Sequence, residues 1–172
     1  MNEPNDLTHF SDTGRARMVD VAEKPATRRV ALASGVVRMQ PATLERIRAG
    51  KIAKGDVLAV ADVAAILAAK KTPELIPMCH SLSLSAVEVE FCDVLEADAT
   101  GCVGIRASVT ASCVGPTGVE MEALVAASTA LLTIYDMCKS IDRGMRLENV
   151  QLDEKRGGKS GIWQRAQSGE RR

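Results

Sequence analysis

The sequence predicts an α+β fold, and three observations carry that expectation. Val103–Cys113 alternates apolar and polar side chains over eleven residues, the period of a strand with one buried face. Ala86–Phe91 just before it alternates in the same way, so the two are expected to pair antiparallel. Glu120–Lys139 then runs for twenty residues without Gly or Pro, and as a helix would span about 30 Å. Neighbouring strands flanked by helices suggest a layered α+β sandwich rather than a strictly alternating parallel sheet. A chain of 172 residues fits one core. With no repeat or composition break, residues 1–172 are read as a single domain whose polar ends, 1–26 and 163–172, are expected to be mobile.

Taken in order, Thr27–Met39 is apolar enough for a first strand, although Gly35 interrupts it. Pro41 suits the first turn of a short helix ending near Ala49 and Gly50. A second helix is expected from Asp56 to Lys71, with acids early, lysines late and Pro73 as its stop. The apolar phase of Leu82–Leu84 is opposite to that of Val87, Val89 and Phe91, and this slip of one residue near Ser85 and Ala86 predicts a bulge. Met145–Leu152 reads as the last strand.

The Glu120–Lys139 helix is apolar in every angular sector, whereas a surface helix keeps a polar face. A single sheet covers one side, so the other is expected to be buried by a second copy of the chain. Glu120, Glu122, Asp136 and Lys139 argue against a membrane span, because charges at these depths are expensive in lipid. Glu122, Thr129 and Asp136 recur every seven residues and read as one polar stripe that Lys139 joins. Asp136 and Lys139 are then either a structural ion pair or an acid–base pair perturbed by burial. Glu122 and Asp136 lie about 21 Å apart along one helix, so no small ligand touches both within one chain. Two such helices packed antiparallel about a twofold axis would bring Glu122 of one subunit to Asp136 of the other.

Twenty-two basic and 22 acidic residues cancel, which removes the basic field that holds nucleic acid or anionic membrane. Aromatic residues at 2% leave no stacking platform. The five cysteines form no CxxC pair and are expected to be reduced, and no metal site is expected. The first residues do not resemble a signal peptide, which points to the cytoplasm. Gly115-Pro116-Thr117-Gly118 is either an anion-binding loop at a helix start or a plain tight turn. Gly157-Gly158-Lys159-Ser160-Gly161 lacks the first glycine of a P-loop, leaving a glycine-flanked lysine that either closes on a phosphate or belongs to the tail. His80 follows Pro73 and Pro77 in a rigid connection, where a lone histidine is usually structural. Lys54 precedes the Asp56 cap and reads as a loop lysine unless it has a partner.

These segments resemble the MoaC family, the cyclic pyranopterin monophosphate synthases of molybdenum cofactor biosynthesis. The likeness begins at Leu7-Thr8-His9-Phe10 and Met18-Val19-Asp20-Val21. It continues through Thr27-Arg28-Arg29, Lys54-Gly55-Asp56-Val57 and Leu75-Ile76-Pro77-Met78-Cys79-His80, and is strongest from Gly115 to Lys139. Gly157-Gly158-Lys159-Ser160-Gly161 closes it. Met78 and Ser81 depart from the family's more usual leucine and proline.

The resemblance implies a ferredoxin-like antiparallel sheet with helices on one face, dimers assembled into a hexamer, and active sites at a dimer interface. It implies a lyase that rearranges 3′,8-cyclo-7,8-dihydroguanosine 5′-triphosphate to cyclic pyranopterin monophosphate with release of pyrophosphate. No cofactor is required, and Mg²⁺ could accompany the triphosphate. By position, Asp136, Lys139 and Lys54 correspond to the catalytic set. Met78, Cys79, His80, Glu120, Met121 and Glu122 correspond to substrate contacts, and Arg29 with Lys159 would neutralise the triphosphate. The alternative is a non-catalytic ferredoxin-like ligand-binding or assembly domain.

Overall fold

A computed structural model describes residues 18–166. The Leu7-Thr8-His9-Phe10 block, with the rest of residues 1–17 and residues 167–172, lies outside the described residues. The elements are β1 (Thr27–Met39), α1 (Pro41–Arg48), α2 (Val57–Lys70), α3 (Thr72–Leu75), β2 (Leu84–Val94), β3 (Val103–Gly115), α4 (Glu120–Cys138), β4 (Arg146–Arg156) and β5 (Trp163–Gln164). The strands form one antiparallel sheet in the order β2-β3-β1-β4-β5, so the expected α+β architecture is the one observed.

Register follows the hydrophobic phase. Val87, Val89 and Phe91 of β2 stand opposite Ala111, Val109 and Ala107 of β3, and these β3 residues are fully buried. The bulge falls at Ser85, where the pairing steps from Leu84–Cys113 to Ala86–Ser112. Ser85 Oγ donates to the Ser112 carbonyl at 3.0 Å. β1 lies centrally between β3 and β4, with Ala31, Ala33, Val37 and Met39 buried under the helices.

Gly35 is the close approach on β1. A Cβ there would sit 2.7 Å from Leu131 Cδ1 and 2.9 Å from Val150 Cγ2, so only glycine lets α4 rest this low on the sheet. Buried alanines serve the same end, with Ala123, Ala126, Ala127 and Ala130 on α4 and Ala61 and Ala65 on α2 at zero exposure. α4 packs on β1, β3, β4 and α2, and α2 also reaches β2.

Two carboxylates fix where α2 and α1 begin. Asp56 accepts from the amides of Leu58 and Ala59 at 3.1 and 3.0 Å and starts α2. Gln40 gives α1 no side-chain cap. Asp142, buried in the turn after α4, accepts instead from Gln40 N–H at 2.9 Å and Thr43 Oγ1 at 3.1 Å. The C-terminal end of α4 is thereby tied to the start of α1.

By length and composition α4 could cross a bilayer, but its inner face is the domain's core. A second copy of the chain is expected from the sequence to cover the side of α4 that the sheet leaves open, but within one chain α2 packs on α4 beside the sheet, so the apolar character of the helix does not by itself require a second copy. Leu132 on α4 and Val60, Val63 and Leu67 on α2 remain apolar and exposed.

The polar stripe needs correction. Glu122 is 3% exposed, Thr129 is half-buried, and Asp136 is exposed. A straight helix drifts about 20° per seven residues, so two heptads turn the stripe by about 40°, enough to carry it from the flank of the buried face at Glu122 out to solvent at Asp136. β5 and the single-turn α3 carry no sequence period and were not predicted.

Candidate functional site

Lys54, Asp136 and Lys139 converge at the C-terminal end of α4. The Asp56 cap places Lys54 just ahead of α2, and its ammonium donates to the Asp136 carbonyl at 2.7 Å and to Oδ2 at 2.9 Å. Lys139, three residues along the helix, brings Nζ to Oδ1 at 2.7 Å. All three side chains are about half-exposed. The Lys139 hydrogen bond, then that of Lys54, holds the Asp136 carboxyl at about 2. The same bond pushes the Lys139 ammonium up. Two ammoniums anchored on one ionised carboxylate can donate protons and compensate developing anionic charge. A lysine here acts as a base only after it leaves Asp136.

The second assembly is a groove at the opposite end of α4. It comprises a cleft of about 540 Å³ containing Arg29 and Lys159 and one of about 380 Å³ containing Met78, Cys79, His80, Met121 and Glu122. Lys24, Thr117, Gly118 and Glu120 line both. Arg29 is fixed by the β3–α4 loop, donating from Nε to the Gly115 carbonyl at 3.2 Å and from Nη2 to that of Pro116 at 3.1 Å. Gly158, at φ +73°, leaves room for this guanidinium, since a Cβ would lie 1.7 Å from Nη1. The glycines beside Lys159 therefore seat Arg29 as well as present the lysine. Glu120 is paired with Lys155 at 3.3 Å.

Burial, with Glu120 adding to it, pushes the Glu122 carboxyl above the usual range. Burial and then Glu122 push the Cys79 thiol up. His80 Nε2–H donates to the Val19 carbonyl at 2.8 Å, so the histidine both lines the groove and holds the segment before β1 against it.

The structure thus brings Lys54 together with Asp136 and Lys139, and gathers Met78, Cys79, His80, Glu120, Met121, Glu122, Arg29 and Lys159 in the groove. It does not unite the two sets within one chain, since fourteen helical residues, about 21 Å, separate Glu122 from Asp136. Lys24, Val19 and Val21 line the groove but lie in a polar stretch without period. Val19 and Val21 belong to the Met18-Val19-Asp20-Val21 block of the family likeness, whereas only its charge marked Lys24 in the sequence.

A model of the MoaC family matches residues 18–158, which include all the residues of both assemblies except Lys159. The chain belongs to the MoaC family. Among relatives in the MoaC family, the chain is 56% identical over 163 residues to the cyclic pyranopterin monophosphate synthase of Novosphingobium aromaticivorans, covering 95% of this chain and 99% of that one. It is 56% identical over 164 residues to the protein of the same name from Limosilactobacillus fermentum, covering 95% and 94%. With that from Thermomicrobium roseum the identity is 56% over 160 residues, 93% of each chain. The resemblance read from the sequence is thus the family found.

Proposed function

We propose that the protein is a cyclic pyranopterin monophosphate synthase, a lyase of molybdenum cofactor biosynthesis that converts 3′,8-cyclo-7,8-dihydroguanosine 5′-triphosphate to cyclic pyranopterin monophosphate and pyrophosphate. The observation that carries this reading is 56% identity over 95% of the chain to a synthase of that name. The geometry supports it from both ends of α4. In the groove, Met78, Cys79, His80, Met121 and Glu122 supply a partly apolar, hydrogen-bonding recess for the guanine-derived rings, and Arg29 and Lys159 supply positive charge for the triphosphate. At the other end, Lys54 and Lys139 donate protons, and Asp136 orients both. Closing the cyclic phosphate joins a sugar hydroxyl oxygen to the α-phosphorus and breaks the bond to the departing pyrophosphate. Cations on the leaving oxygens are what that step requires.

In this reading the two halves meet across a twofold axis, where Asp136, Lys139 and Lys54 of one subunit face the groove of its partner. The exposed apolar side chains of α2 and α4 support such an interface, within dimers assembled into a hexamer. With α1–α3 together in the place of one crossover helix and β5 added at the edge, the element order reduces to β-α-β-β-α-β, and this with the β2-β3-β1-β4 arrangement supports a ferredoxin-like topology. The enzyme needs no cofactor of its own, any Mg²⁺ arrives with the triphosphate, and the reaction belongs to the cytoplasm.

Incubating the protein with the cyclised GTP intermediate and measuring pyrophosphate tests the function. Stoichiometric release with formation of the cyclic phosphate is expected. No release under any condition would sink the enzyme in favour of a binding or assembly domain.

A further inference from the structure

We infer that Lys24 is a phosphate-binding residue of the groove, carried into place by the segment that His80 clasps. This rests on the proposed synthase function and names a residue outside the set assigned from the family.

Lys24 is one of four residues common to both clefts, so it stands at the junction between the ring recess and the cationic end. Its backbone is not a loose tail there. His80 Nε2–H holds the Val19 carbonyl at 2.8 Å, Asp20 Oδ1 accepts from Ala22 N–H at 2.9 Å, and Lys24 N–H closes a turn on the Val21 carbonyl at 3.0 Å. Pro25 follows and stiffens the exit.

The charge balance gives the residue its role. Lys155 is engaged by Glu120 and Arg156 by Glu154. Arg29 already directs two of its nitrogens to the Gly115 and Pro116 carbonyls. Among the described residues neither Lys24 nor Lys159 is salt-bridged to a carboxylate, so each keeps its full charge for a ligand. A triphosphate carries more negative charge than Arg29 and Lys159 together neutralise. A flexible ammonium can follow phosphate oxygens as they leave, which a guanidinium pinned to backbone carbonyls cannot.

Calorimetric titration of the intact protein with inorganic tripolyphosphate at low and moderate salt, on wild type, Lys24→Met and Lys24→Arg, tests the inference. Lys24→Met is expected to weaken binding roughly tenfold and to flatten its salt dependence, with the melting temperature unchanged. Lys24→Arg should stay within about threefold of wild type. In turnover, Lys24→Met should raise KM for the cyclised triphosphate more than it lowers kcat. Tripolyphosphate binding equal to wild type in Lys24→Met overturns the inference, as does no binding by wild type or a Lys24→Arg variant as weak as Lys24→Met. If wild type releases no pyrophosphate yet Lys24→Met loses tripolyphosphate affinity, the functional reading falls and the anion site stands.

Discussion

The two ends of α4 treat their carboxylates in opposite ways. At the N-terminal end Glu122 is almost fully buried and its proton is held more tightly than in water. Fourteen residues later Asp136 stands in solvent between two ammoniums, ionised down to about 2. The first is tuned by removal of water and the second by opposite charge, the two separate routes to a shifted carboxyl. A carboxyl held back from ionising can hydrogen-bond a ring edge as donor or acceptor. An ionised one orients lysines. In the proposed reaction, recognition falls to one end of the helix and proton transfer to the other.

The largest effect is expected at the exposed end. Asp136→Asn should lower kcat by roughly 10²–10⁴-fold, the span of a lost acid–base arrangement. The melting temperature should move by less than about 3 °C, because exposed ion pairs add little to stability. Steady-state rates beside a thermal melt check both, and a large fall in stability would make Asp136 structural instead.

Mixing tests whether the ends meet across subunits. Asp136→Asn and Glu122→Gln proteins, each inactive and allowed to exchange subunits, should regain about one quarter of wild-type activity, since half the dimers are mixed and half their sites intact. Mixtures as inactive as their components would confine each site to one chain.

Gly35→Ala probes the seat of the helix between the two ends. Its methyl meets Leu131 and Val150 below 3 Å, and such overpacking costs about 1–3 kcal/mol, a fall of roughly 3–10 °C in Tm. An unchanged melt would show that α4 rises freely.

The smallest effect separates the carboxylates by pH. Glu122 has a folded pKa above the unfolded 4.5, so its contribution to stability is greatest below 4.5 and declines as pH rises through the folded value. Glu122→Gln should remove that decline and melt higher than wild type at neutral pH relative to pH 4. Asp136 has the opposite sign, since its contribution is present above 3.8 and lost as pH falls toward about 2. Melting curves across pH 2–8 check both signs, and a Glu122→Gln profile parallel to wild type would remove the buried-acid account.

Much of the fold was legible in the chain because it depends on period. The alternation from Val103 to Cys113 and the one-residue slip at Ser85 specify pairing and bulge before any coordinates. The charges Asp136 and Lys139 stand out because the helix around them is apolar. What periodicity cannot convey is which long-range partner a polar group finds. Nothing near Gln40 says that Asp142 will cap its helix, and nothing near Lys54 says that its ammonium crosses to the Asp136 carbonyl. The stripe through Glu122 and Asp136 misled because a seven-residue repeat is only nearly two turns. That mismatch puts one carboxylate in the core and the other in water.

The notch at Gly35 does more than allow close packing. It pins the middle of α4 to the central strand, so both ends are measured from one fixed point, like marks on a ruler. A residue inserted between Leu131 and Asp136 would advance the lysine-bearing end by about 1.5 Å and swing it by about 100°, leaving the groove as it was. Chemistry assembled from two subunits, as proposed, would tolerate change along the outer surface of the helix far better than any change in its length.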